Sequence, residues 1–293
     1  MSSPSVRPRQ TIPIGEYHAA YQIIGSGPPL ILLHGFLGSG DNWQALYPDL
    51  ANHYQCIALD LLGFGASSKP QLKYTIWHQI EFLHQFIRTL QLKEFHLAGH
   101  SYGGWLAAAY AIAATGIRWD AAKTQWQPSH KSNLAFCQPA SLTLIAPAGI
   151  RDDSFVGRYN YMKPLLWETP VIDWLMAIIK PIAQITGQAN AFRQIDIARV
   201  ELQAQPVAKS FIVDRLRPED AIDTVEQLIH HITIPTRIIA GGQDTTIPLW
   251  HCETYGQKIA ASQFTVLADA EHDLLQTHSQ TIAQLILQDN DTK

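Results

Sequence analysis

The chain is 293 residues long, 46% apolar and 16% charged, which suits a soluble globular protein with one large core, or one core carrying a sizeable insertion. A net charge of −4, with no lysine/arginine stripe, is too mild to imply nucleic acid or an anionic membrane as a partner and sets those classes aside. Cys56, Cys137 and Cys252 form no C-x-x-C pair, which favours a reducing, cytoplasmic setting and gives no support for a zinc site.

Met1–Thr11 is polar and contains prolines, and it lacks the apolar stretch of a signal peptide. Ile14–Ile24 has the tyrosine and isoleucine content of one or two edge strands and ends at Gly25-Ser26-Gly27-Pro28-Pro29. Leu30–Leu33, short, apolar and bounded by breakers, predicts a buried strand running into the glycine-rich loop His34-Gly35-Phe36-Leu37-Gly38-Ser39-Gly40. A helix over about Asp41–Ala51 and a buried strand Gln55–Leu59 follow, the strand ending in Asp60 and the turn through Gly63-Phe64-Gly65. Ile76, Ile80, Leu83, Ile87 and Leu90 recur at steps of four and three, the period of an amphipathic helix.

Phe95–His100 then reads as a short buried strand, and Trp105–Ala114 as part of an alanine-rich helix. Between them lies Gly99-His100-Ser101-Tyr102-Gly103, a G-x-S-x-G with Ser101 at its centre. Turning a strand into a helix within two residues strains the middle residue and crowds the positions two either side of it. Glycine at 99 and 103 relieves the crowding and leaves the serine hydroxyl at the tip of the turn. Strand–helix–strand–helix–strand–helix is the order of a doubly wound, mostly parallel sheet, whose ligands sit at the carboxyl ends of the strands.

Gly116–Gln138 is rich in Trp, Gln, His and Lys and has no clear period; it reads as a surface insertion before the strand Ser141–Ile145. From about Ala148 to His231 no buried-strand run occurs. Met162, Leu165, Leu166, Trp167, Trp174 and Met176 belong to apolar helical pieces that Pro164, Pro170, Pro181, Pro206 and Pro218 are expected to cut short. Glu168, Asp173 and Lys180 interrupt the most apolar part and argue against a transmembrane span. The segment is expected to be an inserted helical cap whose aromatic and Met residues wall an apolar pocket. Strand pattern returns with Thr236–Ala240, followed by Asp244, a helix near Leu249–Ala260, the strand Gln263–Leu267, His272 and a closing helix with Ile282, Leu285 and Ile286.

A serine hydroxyl is a weak nucleophile at neutral pH and needs a base in hydrogen-bond reach, commonly histidine, itself oriented by a carboxylate. Of the thirteen histidines, His34, His96, His100 and His272 lie near strand ends, and His272 alone is also late in the chain. Asp244 directly follows a strand. Asp60 does too, but the glycines after it suggest a structural turn, and the pair Asp152 and Asp153 is the alternative acid. The order Ser101, Asp244, His272 is the one found for triads built on such a serine turn. An oxyanion hole needs two donors: the Tyr102 amide beside the nucleophile, and one from the His34-Gly35-Phe36 loop, taken as the Phe36 amide. His34 itself is expected to hold that loop. No cluster has metal-ligand spacing and no G-x-G-x-x-G follows a first strand, so neither metal nor dinucleotide cofactor is implied.

His34-Gly35-Phe36, Asp60-x-x-Gly63-x-Gly65-x-Ser67, Gly99-His100-Ser101-Tyr102-Gly103-Gly104, Gly242-x-Asp244-x-x-x-Pro248 and Glu271-His272 together resemble the α/β-hydrolase superfamily, in that family's order, over roughly residues 14–149 and 233–288. The resemblance implies a mainly parallel eight-stranded sheet flanked by helices, with residues 1–149 and 232–293 as core and 150–231 as an inserted helical lid. It supports Ser101 as nucleophile, Asp244 as acid, His272 as base, and the Phe36 and Tyr102 amides as oxyanion donors. Haloalkane dehalogenases and epoxide hydrolases of this fold use an aspartate nucleophile, so serine at 101 argues for acyl chemistry. The expected activity is hydrolysis of a small or medium apolar carboxylic ester. Cleavage of a carbon–carbon bond or an amide, perhydrolysis, and ligand binding on a retained fold are the alternatives.

Overall fold

The computed structural model describes residues 8–120, 125–128, 136–152, 170–212 and 223–288. Two compact units are present, one of Met1–Ser68, Thr75–Arg151 and Ile222–Lys293, the other of Lys69–Tyr74 and Asp152–Ala221.

The first unit is built on an eight-stranded sheet: β1 (Gln10–Ile14), β2 (Tyr17–Ile24), β3 (Pro29–Leu33), β4 (Gln55–Leu59), β5 (His96–His100), β8 (Ser141–Ile145), β9 (Thr236–Gly241) and β10 (Ser262–Leu267), in the order β1-β2-β4-β3-β5-β8-β9-β10. β2 runs antiparallel to both neighbours, and the remaining pairs are parallel. The inner strands are apolar runs rather than alternations because helices cover both faces, and β8 and β9 are buried along their whole length. The chain builds leftward from β3 to β4 and then returns to place β5 on the other side of β3. This reversal opens a crevice at the carboxyl ends of β3 and β5.

Helix α2 (Ile76–Thr89) opens with Thr75 in a capping box with His78, and α3 (Tyr102–Ala114) packs onto β5. Every residue of α3 except its last is buried, so an amphipathic period is absent there, as a central helix requires. The helix expected over Asp41–Ala51 is instead a 3-10 turn (Gly40–Leu46) followed by one α-helical turn, α1 (Tyr47–Leu50). Pro48 in its first turn lacks the N–H that a continuous helix would use.

The 116–138 segment differs from a plain loop. Its described residues form an antiparallel hairpin of β6 (Ile117–Asp120) and β7 (Gln125–Pro128), and its far end packs inward. The Phe136 ring stacks on His84 at 4.0 Å and lies 5.5 Å from Tyr110, under the Arg118 guanidinium at 4.0 Å.

The second unit contains α4 (Pro170–Ile185), α5 (Ala189–Gln203) and α6 (Pro206–Ile212). Arg199 bridges to Asp173 at 2.7 Å, joining α5 to α4, and the Tyr74 amide donates to Ser210 Oγ at 2.7 Å. Pro170 and Pro206 open helices, where a missing N–H costs nothing, but Pro181 lies inside α4 and does not end it. Trp174 is 74% exposed. Pro164, Pro218, Met162, Leu165, Leu166, Trp167, Glu168 and Asp153 lie outside the described residues. Among those described, no helix is long and apolar enough to cross a membrane.

Candidate active site

Ser101 joins β5 to α3 with φ 54° and ψ −114°, a conformation that side-chain-bearing residues rarely adopt. The fold holds it there by its backbone. Its amide donates to Ile145 O at 2.9 Å, and its carbonyl accepts from Trp105 at 3.0 Å and Ala148 at 3.1 Å. The two glycines are needed for space. A Cβ on Gly99 would sit 2.1 Å from Gly103 O, and one on Gly103 would sit 2.2 Å from Leu33 O and 2.6 Å from His34 O. These obstacles are backbone and cannot swing aside. Gly103→Val is therefore expected to destabilise by roughly 3 kcal/mol or more, lowering Tm by about 10 °C. Gly256→Ala, in helix α7 (Leu249–Lys258), is the internal comparison: the nearest atoms to its Cβ belong to the Phe264 side chain, at 3.4 Å and beyond. It should match the wild type or exceed it by up to about 1 kcal/mol. Thermal melts that rank the two variants equally would contradict this reading of the elbow.

The loops after β9 and β10 bring the other two residues to this point. Gly242 permits their close approach, since a Cβ there would lie 2.6 Å from Ala268 O. Asp244 is held by its own turn, with Oδ1 accepting from the amides of Thr246 and Ile247, both at 2.8 Å. Its Oδ2 faces His272 Nδ1 at 2.8 Å, and His272 Nε2 lies 3.0 Å from Ser101 Oγ. The Asp244 side chain is 1% exposed and that of His272 25%, so the acid is sealed while the imidazole borders solvent. With the carboxylate accepting from Nδ1–H, Nε2 carries the lone pair that faces the serine hydroxyl. Ser101, His272 and Asp244, from three separate strand ends, thus form one hydrogen-bonded chain.

The loop after β3 borders the serine. A Cβ on Gly35 would lie 3.4 Å from Ser101 Cβ. The Phe36 ring stands edge-on to Phe64 at 5.8 Å and to Tyr102 at 6.3 Å. His34 is fully buried; its Nδ1–H donates to Gly35 O at 2.7 Å and its Nε2 accepts from the Leu61 amide at 3.0 Å. Asp60 accepts from Gly40 at 2.7 Å and Ala66 at 2.8 Å, which makes it a clamp between two turns. His100 was grouped from sequence with the other strand-end histidines and given no role. Its Nε2–H donates to the carbonyl of His272 at 3.0 Å, a contact across 172 residues that no local signal announces. Among the described residues no group of three or more His, Cys, Asp or Glu is placed to hold a metal ion.

Burial pushes His34 down to about 4 and His100 to about 3. Both lie below the ordinary histidine value of about 6.5, so the unfolded chain binds protons that the native state refuses. The stability from their neutrality is complete above about pH 6.5 and is lost as pH falls towards about 4, at up to about 1.4 kcal/mol per pH unit for each group. Thermal melts should therefore decline from about pH 6.5 downward, by a few kcal/mol in total near pH 5. A flat profile through that window would contradict it.

The mixed sheet, the crevice at its topological reversal and the serine elbow define an α/β-hydrolase fold. A family model described as the alpha/beta hydrolase fold matches residues 28–119. The chain has the α/β-hydrolase fold. Human monoacylglycerol lipase ABHD6 is 24% identical to it over 277 residues, 90% of this chain and 75% of that protein. A 2-hydroxy-6-oxo-6-(2'-aminophenyl)hexa-2,4-dienoic acid hydrolase of Metapseudomonas resinovorans is 40% identical over 95 residues, covering 31% of this chain and 32% of that one. Among solved structures, the meta-cleavage product hydrolase CumD from Pseudomonas fluorescens IP01 superposes with a TM-score of 0.68 at 22% identity, over 97% of this chain and 98% of that one. A bacterial membrane phospholipase A gives a TM-score of 0.70 at 24% identity, covering 99% and 86% respectively. At these identities the structural likeness defines the fold.

Proposed function

We propose that the protein is a serine hydrolase that cleaves small or medium apolar carboxylic esters. The observation that carries this reading is the chain from Ser101 Oγ through His272 to Asp244, at 3.0 and 2.8 Å, with the serine at φ 54°. Ser101 Oγ attacks the ester carbonyl while His272 Nε2 takes its proton, and Asp244 stabilises the imidazolium that forms. The carbonyl oxygen becomes an oxyanion bound by the main-chain amides of Phe36 and Tyr102, the latter at the start of helix α3, where the helix dipole favours negative charge. His272 returns its proton to the leaving alkoxide. Water activated by the same imidazole then releases the acid and restores Ser101. In this reading residues 1–149 and 232–293 are the catalytic core and residues 150–231 a helical lid that selects the substrate.

The test is a chain-length series of p-nitrophenyl esters with a pre-steady-state trace. An acyl-enzyme mechanism gives a burst of p-nitrophenol stoichiometric with active sites wherever deacylation is slower than acylation. Failure to turn over any ester would overturn the ester reading. The second reading, hydrolysis of a carbon–carbon bond beside a ketone, draws on the 40% identity to a dienoic acid hydrolase over 95 residues. Turnover of a vinylogous 1,5-diketone acid in preference to every ester would favour it.

A further inference from the structure

The residue before the nucleophile sits between two loops that the proposed chemistry requires. A Cβ on Gly35, in the loop after β3, would come within 3.3 Å of His100 Nδ1, so one edge of the ring packs on that loop. From the other ring nitrogen, Nε2–H donates to the carbonyl of His272 at 3.0 Å, and the two imidazole rings lie 4.9 Å apart at a tilt of 38°. The bond is to the main chain of His272 and leaves both of its ring nitrogens free for Asp244 and Ser101.

We infer that His100 is a positioning residue for the base, fixing the main chain of His272 so that its ring meets Ser101 and Asp244 together. The inference rests on the reading of Ser101 and His272 as nucleophile and base. His272 stands on the loop after the edge strand β10, and a shift of about 1 Å in such a group can cost on the order of a hundredfold in rate. His100 suits the task because it stays uncharged. Burial is the largest cause of its low affinity for a proton, and His272, Asp244 and His34 are the charged or titratable groups that act on it. A neutral ring beside His272 does not repel the imidazolium formed when Ser101 loses its proton; a cation there would.

The experiment compares wild type, His100→Leu and His100→Gln, whose side-chain amide N–H stands about where Nε2–H stands. Leucine keeps the bulk and removes the donor. Expected for His100→Leu is a fall in kcat of about tenfold to a hundredfold with KM within about threefold, and an equal fall in the rate of fluorophosphonate labelling. His100→Gln should restore most of the rate. Proton NMR of the His272 Nδ1–H adds a readout independent of turnover: sharp in wild type and His100→Gln, exchange-broadened in His100→Leu. If His100→Leu fails to fold, His100→Asn replaces it, since its amide is too short to reach the His272 carbonyl. Wild-type behaviour in the leucine or asparagine variant, or a glutamine variant as impaired as leucine, would overturn the inference. An inactive wild type with the NMR contrast intact would instead overturn the hydrolase reading and leave the positioning of His272 standing.

Discussion

Ser101→Ala is expected to remove ester hydrolysis while leaving the protein as stable as the wild type, with kcat lower by roughly 10⁵- to 10⁶-fold. The loss is large because the variant keeps Asp244 and His272 but has no atom for the acyl group to join. The stability should hold because the strained backbone at this position is tied by main-chain bonds to Ile145, Trp105 and Ala148, none of which uses the hydroxyl. Alanine also fills the same Cβ position, so the strain at φ 54° is unchanged. Steady-state kinetics on the best p-nitrophenyl ester, with a thermal melt alongside, measures both halves. Activity within tenfold of wild type would remove Ser101 from the mechanism.

Asp244→Asn is expected to lower kcat by about 10³- to 10⁴-fold, an effect of tautomer rather than of packing. Oδ1 of the wild-type carboxylate accepts from the amides of Thr246 and Ile247, and asparagine must keep its carbonyl oxygen there to satisfy both. Its NH₂ group is then directed at His272 Nδ1. The imidazole answers by turning Nδ1 into the acceptor and carrying its proton on Nε2, where it faces Ser101 and cannot take the serine proton. The turn survives, so the loss of stability should stay near 1 kcal/mol. Asp244→Ala would lose activity as well but would also leave the Thr246 and Ile247 amides unpaired, and it should be the less stable of the two. A fully active Asp244→Asn enzyme would mean that another group orients His272.

The proximity of Ser101, Asp244 and His272 was legible because each residue follows a recognisable strand and the fold's parallel order gathers such ends on one side. The inner strands β3, β4, β5, β8 and β9 were equally legible, as short apolar runs between breakers. What escaped were features defined across the chain or over too few residues. Strands β6 and β7 have four residues each, too few for a period to register, and their partner is each other rather than a neighbour in a pattern. The inward packing of Phe136 on His84 depends on a helix some fifty residues earlier. Pro181 misled because an interior proline costs a helix one hydrogen bond and crowds the preceding turn, yet α4 runs through it from Pro170 to Ile185. His100 escaped because its partner is a main-chain carbonyl, which leaves no trace in side-chain identity.

The measurement that bears most directly on the central claim is labelling of the purified protein with an alkyl fluorophosphonate, followed by peptide mass mapping. The account predicts one adduct, on Ser101, absent from Ser101→Ala and formed much more slowly by Asp244→Asn. An adduct on a different serine, or ester turnover by a protein whose Ser101 stays unmodified and unprotected by substrate, would contradict it.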